Sequence, residues 1–210
     1  MPVIEYFYSA HSAYAYLGSR RLMEIAREAG RELVHRPVAL TQVIDGAGST
    51  PTATRTQKFR AYYFGREIER WSQRRGAPVV DGIPTYHRND TTLSNCALIA
   101  GTLNDININA LAHAFLEGHW QDDADLNDAD TLAHLIASVG LDARELLDLA
   151  TTDAVTKAYA ANTTEAIERS VFGSPTYFLD GDMFYGQDRL EMLENALRTP
   201  YTGVWPRDSI

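Results

Sequence analysis

The sequence predicts an α/β protein whose strands come from its two ends and whose middle is helical. Three observations support this fold class. The amino-terminal segment alternates strand, helix and strand, and the carboxyl-terminal segment has two short strands joined by a turn and followed by a helix. Between them lies a long stretch in which apolar residues recur at three- and four-residue spacings, as they do on one face of a helix.

The amino-terminal segment predicts a βαβ unit. Val3 to Tyr8 is rich in β-branched and aromatic residues, and Ser9-Ala10-His11-Ser12 interrupts it before a helical pattern that runs from Ala13 until Gly30. Glu32 to Pro37 is the second predicted strand. A helical crossover favours parallel strands, so the two strands should lie in one sheet with the same direction.

The carboxyl-terminal run from 171 to 190 predicts a strand, a tight turn, a second strand and the start of a helix. Proline cannot donate to a sheet ladder, so the first strand should begin at Pro175 rather than contain it. An X-Pro bond is the one place where a cis peptide costs only about 0.5–1 kcal/mol, and we expect a cis bond at Ser174–Pro175. Asp180-Gly181 supplies the positive φ angles that a two-residue hairpin turn requires.

The middle of the chain predicts several helices separated by connectors at Ser49-Thr50-Pro51-Thr52 and at Ala77 to Pro84. We therefore expect one domain built from residues 1–42 plus 171–210, with residues 43–170 inserted into it as a helical subdomain. The predicted helical ranges are Gln57 to Arg75, Leu93 to Glu117, Asp130 to Val139 and Asp153 to Ser170.

Composition and charge narrow the class of partner. A chain of 210 residues that is 45% apolar can bury one sizeable core, or a core plus a subdomain. The formal charge of −9 and the pI of about 5.1 argue against a surface that neutralises phosphates, so nucleic acid is not an expected partner. An anionic ligand would need a local cluster of donors.

The sequence also predicts a cytoplasmic protein. Its first residues lack the basic region and apolar stretch of a signal peptide, and no run approaches the roughly 18 apolar residues of a membrane helix. The single cysteine, Cys96, cannot form an internal disulfide, which agrees with a reducing compartment. We expect Cys96 to be a small buried residue without chemistry.

Two strings near the carboxyl terminus resemble a known family. They are Phe172-Gly173-Ser174-Pro175-Thr176 and the closing Tyr185-Gly186-Gln187-Asp188-Arg189-Leu190. Together they are similar to the glutathione S-transferase kappa and 2-hydroxychromene-2-carboxylate isomerase group, a branch of the DsbA-like thioredoxin superfamily. The resemblance implies a thioredoxin-like α/β fold with a large inserted α-helical subdomain. The alternative for these residues alone is an ordinary hairpin packed under a helix.

Ser12 is the first candidate site residue. It lies at the strand-to-helix junction where a redox thioredoxin has the first cysteine of Cys-x-x-Cys, and here the four residues are Ser12-Ala13-Tyr14-Ala15. Without a thiolate this site cannot carry out disulfide exchange. The resemblance implies instead that Ser12 contacts the sulfur of bound glutathione and lowers its pKa through a hydrogen bond. Ser12 could also be only the helix N-cap, and both roles can hold together.

The resemblance implies further glutathione contacts. The backbone of Ser174 would pair with the cysteinyl part of the tripeptide, across a cleft that Ser12 shares. The segment Tyr185, Gly186, Gln187 and Asp188 would receive the γ-glutamyl end, with Asp188 taking the α-ammonium group and helix N–H groups taking the carboxylate. Otherwise Asp188 would be a helix cap beside Arg189.

The sequence departs from the family pattern at two places. Family members commonly have Ser-Pro after the first strand, whereas this chain has Ser12-Ala13. They often carry an Asn near the start of the insert and then a Lys that reaches the active site. The basic candidates here are Lys58, which matches in chemistry, and Arg60, which matches in register.

The histidines offer weaker candidates. His11 precedes Ser12, and an ordinary pKa near 6.5 would allow it to exchange protons at neutral pH, although a structural role is the alternative. Tyr86 and His87 are candidates for lining the pocket of the second substrate. His113 and His119 lie six residues apart, about 120° around a helix, so they do not form a zinc pair and no metal is expected.

The resemblance implies a glutathione-dependent cis–trans isomerase of the 2-hydroxychromene-2-carboxylate isomerase type, which acts on a small aromatic substrate in aromatic catabolism. In that chemistry the glutathione thiolate adds to a conjugated position, the resulting single bond rotates, and elimination gives the trans-alkene and regenerates glutathione. A homodimer is usual in the group. Two alternatives stay open: a kappa-like transferase, and a non-catalytic thioredoxin-like binding module. A turnover assay separates the binding module from the enzymes.

Overall fold

The computed structural model describes residues 3–50 and 54–203, which form a four-stranded sheet with helices on both of its faces. The strand order is β2-β1-β3-β4. Strands β1 and β2 are parallel, as the βαβ prediction requires, while β3 runs antiparallel to β1 and β4 antiparallel to β3. The strands are β1 Val3–Tyr8, β2 Glu32–Pro37, β3 Thr176–Leu179 and β4 Asp182–Tyr185.

The remaining described segments are mostly helical, which confirms the α/β class with a large helical insertion. Helix α3 continues without interruption through one π-helical segment into α4, over the range where one helix is predicted. The helices are α1 Ala13–Glu28, α2 Leu40–Gly46, α3 Gln57–Arg60, the π-helix Ala61–Arg66, α4 Glu67–Arg75, α5 Thr92–Leu103, α6 Asn109–Gln121, α7 Ala129–Ser138, α8 Ala143–Ala150, α9 Asp153–Glu168, the 3₁₀ turn Gln187–Arg189 and α10 Leu190–Arg198.

The single helix predicted over 93–117 is wrong, because the chain breaks between α5 and α6. Asp105 takes the left-handed conformation at φ +56°, and the side-chain amide of Asn104 donates to the carbonyl of Ala100. Asn and Asp tolerate this conformation because their short polar side chains bond locally to the backbone, so the pair ends the helix. Helix α8 was also missed; it starts at Asp142, whose side chain accepts from the Glu145 N–H at 3.0 Å.

The sheet is covered on both faces, and residues of the insert contribute to both layers. Tyr6 and Tyr8 belong to a large apolar cluster that also contains α1 and the helices α5 to α8, with Trp120 fully buried in it. Phe7 and Phe178 point to the opposite face, where α2 and α9 pack. Helix α2 crosses the expected division between residues 42 and 43, and that division stays a prediction.

The hairpin has the local geometry that its sequence indicates. Asp180 and Gly181 have φ angles of +50° and +91°, and the Ser174–Pro175 bond is cis. Residues 51 and 52 of the predicted connector at 49–52, together with residue 53, lie outside the described residues. Within the described ranges, no helix is both long enough and apolar enough to cross a membrane.

Candidate active site

Ser12 is the N-cap of α1. Its extended backbone, with φ −73° and ψ 121°, ends the loop after β1, and its side chain accepts from the Ala15 N–H at 3.3 Å. A hydroxyl at this position satisfies one of the backbone N–H groups that a helix leaves open at its start. The residue is only 6% exposed, so little of its side chain is open to solvent.

The residue before the cis proline lies directly beside this helix start. The Ser12 hydroxyl donates to the carbonyl of Ser174 at 3.2 Å, and the N–H of Ser9 donates to the Ser174 hydroxyl at 3.2 Å. The two segments meet because β1 and β3 are neighbours and Phe7 pairs with Thr176 at their common end. The structure therefore brings together the two serines that the sequence singled out.

A cavity of about 200 Å³ opens beside Ser174. One of its sides is the carboxyl-terminal segment, and all five predicted ligand residues of that segment line it. The other side comes from α1 and from the insert, which the sequence reasoning missed. The lining residues are Ser174, Tyr185, Gly186, Gln187, Asp188 and Arg189 on the first side, and Tyr14, Tyr63, Glu67 and Trp71 on the second.

The turn after β4 requires glycine. Gly186 has a φ of +96°, and a Cβ atom there would lie 2.5 Å from Oδ1 of Asp188. Its N–H donates to the Pro175 carbonyl at 2.9 Å, which attaches the turn to the cis-proline loop. The Asp188 carboxylate accepts from Nη1 of Arg189 at 2.5 Å, and Gly186, which precedes the 3₁₀ turn, offers no side chain to cap it. A carboxylate at the rim can receive a ligand ammonium group.

Arg75 of α4 holds the same segment from the insert. Its Nε donates to Oε1 of Gln187 at 3.1 Å, and its Nη2 donates to the Gln187 carbonyl at 3.2 Å. Nη1 pairs with Glu191 at 2.8 Å, and the guanidinium lies 5.3 Å from the centre of the Trp71 ring. Gln187 is 1% exposed, so this clamp sets the position of a buried side chain. No local pattern marks Arg75, because its partners are more than a hundred residues away.

Two tyrosines build the second side of the cavity. The Tyr14 hydroxyl donates to the carbonyl of Tyr63 at 2.5 Å, and the ring centres are 4.9 Å apart. Burial raises the pKa of both phenols above the usual range. The nearby carboxylate of Asp188 raises both pKa values further. Both hydroxyls therefore keep their protons near neutral pH and act as donors.

His11 lies in a histidine cluster rather than at the cavity. Its ring centre is 5.1 Å from that of His87, and Nδ1 of His87 is 3.0 Å from Nε2 of His119. Burial, and after it the two neighbouring histidines, lower the pKa of His11 to about 3. Burial lowers the pKa of His87 to about 4 and that of His119 below its usual range. The cluster is neutral near pH 7, which differs from the expectation that His11 exchanges protons there.

The other weak candidates are not brought to the cavity either. Lys58 and Arg60 are exposed residues of the short helix α3, and Tyr86 is exposed on the connector before α5. Cys96 is buried, and burial raises the pKa of its thiol to about 11, so it stays protonated near neutral pH. Across residues 3–50 and 54–203, no group of three or more His, Cys, Asp or Glu residues is arranged to hold a metal ion.

The fold and this site define a class. The DSBA-like thioredoxin domain matches residues 3–198, and the chain belongs to that family. Two curated relatives share 28% and 27% identity with it over 196 residues, covering 93% of this chain and 90% and 94% of their own length. They are the proteins named 2-hydroxychromene-2-carboxylate isomerase from Pseudomonas sp. (strain C18) and from Pseudomonas putida.

Solved structures agree with that assignment. A structure of a 2-hydroxychromene-2-carboxylate isomerase superposes with a TM-score of 0.77 at 26% identity, over 93% of this chain and 94% of the other. A probable DsbA oxidoreductase from Streptomyces coelicolor superposes with a TM-score of 0.73 at 19% identity, over 100% and 94% of the two chains. The second likeness concerns the fold alone.

Proposed function

We propose that this protein is a glutathione-dependent cis–trans isomerase that acts on 2-hydroxychromene-2-carboxylate in aromatic catabolism. The relatives that carry this name support the reaction type. The single observation that carries the glutathione dependence is the contact of the Ser12 hydroxyl with Ser174, which lines a cavity together with the segment from Tyr185 to Arg189. Ser12 itself lies behind Ser174 and is not one of the lining residues.

The residues present fit glutathione. Ser12 takes the position of a redox thiol but has a hydroxyl, so the reactive sulfur has to come from the ligand. Ser174 would pair with the cysteinyl part through its backbone, and Asp188 would bind the α-ammonium group. Bound there, glutathione would supply a thiolate nucleophile that is regenerated at the end of the reaction.

Ser12 would stabilise that thiolate in two ways. Its hydroxyl proton, which is donated to the Ser174 carbonyl in the structure, can turn toward an anionic sulfur. Its backbone opens helix α1, and a helix amino terminus favours a nearby negative charge. Only 6% of Ser12 is exposed to solvent. Exclusion of water strengthens charge-assisted hydrogen bonds, so both effects gain from this burial. The result is a lower thiol pKa and more nucleophile at neutral pH.

Binding and turnover test the proposal together. Glutathione at a hundred times its Kd should stabilise the fold by about 2.7 kcal/mol, which raises Tm by several degrees in a chain of this size. Asp188→Asn should weaken glutathione binding without abolishing it, since the backbone contacts remain. The assay measures the concentrations of 2-hydroxychromene-2-carboxylate and of glutathione in the same reaction over time.

A glutathione-dependent isomerase converts substrate at a constant glutathione concentration and is inactive without glutathione. Consumption of one glutathione per turnover would identify a transferase instead, and saturable binding without turnover of this substrate would agree with a binding module. No change in Tm at millimolar glutathione, together with turnover that does not depend on glutathione, would contradict the proposed role of glutathione as cofactor.

A further inference from the structure

The side of the cavity that the insert contributes is aromatic. Tyr14 of α1 and Tyr63 and Trp71 of the insert line it, and we call these three residues the aromatic wall. Phe59, which is 41% exposed, stacks on Tyr63 with ring centres 5.2 Å apart and extends the wall toward solvent. Exposed aromatic side chains next to a cavity are typical of a surface that binds a planar ring.

A π-helical segment sets the direction of this wall. In Ala61–Arg66 the N–H of Glu67 bonds to the carbonyl of Tyr62, five residues back, so the turn is wider than an α-helical turn. The extra residue shifts the side chains around the helix axis. Tyr63 then lines the cavity, whereas Ile68 in the next turn is buried in the core. Such segments occur frequently at functional sites.

Tyr14 connects the wall to the helix that carries Ser12. Its hydroxyl donates to the carbonyl of Tyr63, and its ring packs against the Tyr63 ring. Tyr14 lies two residues after Ser12, within the first turn of α1. One short rigid element therefore determines how far the wall is from the Ser12 hydroxyl.

We infer that the aromatic wall binds the ring of the second substrate, and that Tyr14 is a positioning residue that sets the distance between this ring and the sulfur beside Ser12. The inference rests on the proposed function. A thiolate and the carbon it attacks must approach to about 3–3.5 Å, and small displacements from that geometry slow a reaction strongly. A hydrogen bond that fixes the wall relative to Ser12 meets this requirement.

Two carboxylates and one guanidinium line the cavity. Glu67 and Asp188 place carboxylates on opposite sides of the cavity. Hydrogen bonds from Tyr62 and Arg70 hold the pKa of Glu67 below its usual range, so it is ionised at neutral pH. Asp188 is paired with Arg189, so the cavity carries a guanidinium as well as two carboxylates.

The test compares Tyr14→Phe with a matched control on the same helix. Tyr16 also donates its hydroxyl to a backbone carbonyl of the insert, that of Pro78 at 2.8 Å, but it does not line the cavity. Tyr14→Phe keeps the ring and loses one hydrogen bond, so KM for 2-hydroxychromene-2-carboxylate should rise about two- to tenfold, with a fall in kcat. The Kd of glutathione should stay within twofold of the wild-type value. The pKa of the bound thiol should equal the wild-type value within measurement error. Tyr16→Phe should leave all four quantities unchanged.

A second measurement keeps the inference testable if Tyr14→Phe folds poorly. Binding of 2-hydroxychromene-2-carboxylate should quench the emission of Trp71, and the quenched component should disappear in Trp71→Phe. Tyr63→Leu should weaken this binding while glutathione affinity is preserved. Unchanged substrate binding in both Tyr14→Phe and Tyr63→Leu would overturn the inference, as would a loss of glutathione affinity equal to the loss of substrate affinity. A wild-type protein without glutathione binding or turnover would refute the proposed function instead.

Discussion

The replacement Ser12→Ala tests the central residue of the site. The hydroxyl makes two hydrogen bonds, one from the Ala15 N–H at 3.3 Å and one to the Ser174 carbonyl at 3.2 Å. Both are at the long end of the normal range, so their loss should cost the lower part of the usual N-cap effect, about 0.5–1 kcal/mol. In a chain of 210 residues this lowers Tm by about 1–4 °C.

The effect on bound glutathione should be larger. A hydrogen bond to a charged sulfur contributes about 1.5–3 kcal/mol, which corresponds to an increase of about one to two units in the pKa of the bound thiol. If the chemical step limits turnover, the rate falls about ten- to a hundredfold. Glutathione affinity should change only a few-fold, because the contacts proposed for Ser174 and the segment from Tyr185 to Asp188 do not use the Ser12 hydroxyl.

The assay is an ultraviolet titration of the thiolate in the wild-type and Ser12→Ala complexes, alongside isomerisation kinetics. Asp142→Ala is a suitable control, since Asp142 caps helix α8 through a bond of 3.0 Å to the Glu145 N–H and is not at the cavity. The control should lower Tm without changing the thiolate titration. Equal thiol pKa values and equal rates in wild type and Ser12→Ala would refute the catalytic role and leave Ser12 as a helix cap.

Two further predictions concern stability. Burial lowers the pKa of all three clustered histidines below the ordinary 6.5, to about 3 for His11 and about 4 for His87, with His119 shifted in the same direction. The fold therefore favours their neutral forms, and their contribution to stability is complete above pH 6.5 and is lost progressively as the pH falls below it. Urea unfolding should therefore show a free energy that decreases from pH 6.5 to 5, and a flat profile there would contradict the buried cluster. Gly18→Ala should be destabilising, because the new Cβ atom would lie 2.7 Å from a Cβ atom of the carboxyl-terminal segment, and overpacking costs about 1–3 kcal/mol. Gly65→Ala, with no atom within 4 Å of its Cβ position, is the control and should be neutral or stabilising by thermal unfolding.

Local signals in the sequence determined much of the fold. The strands β1 and β2, the turn at Asp180-Gly181 and the start of α1 each depend on residues within a few positions of one another. Their backbone preferences are short-range, and reading the residues was enough to place them. The break between α5 and α6 was missed because the apolar spacing continues on both sides of Asn104 and Asp105, and periodicity outweighed the weaker polar signal.

The family resemblance identified one side of the candidate site, since its glycine, proline and polar residues form a contiguous motif. The other side depends on contacts between residues far apart in the chain, which no local pattern encodes. Arg75 reaches Gln187, and Tyr14 reaches Tyr63, only once the insert has packed onto α1 and the hairpin.

The protonation state of His11 has the same origin. The sequence places it beside Ser12, but only tertiary packing surrounds its ring with other side chains, and burial lowers its pKa. Desolvation depends on the atoms that replace water around a group, and those atoms come from α6 and the connector before α5. The sequence by itself therefore determined the elements and the serine at the helix start, while the tertiary structure decided which side chains line the cavity beside Ser174.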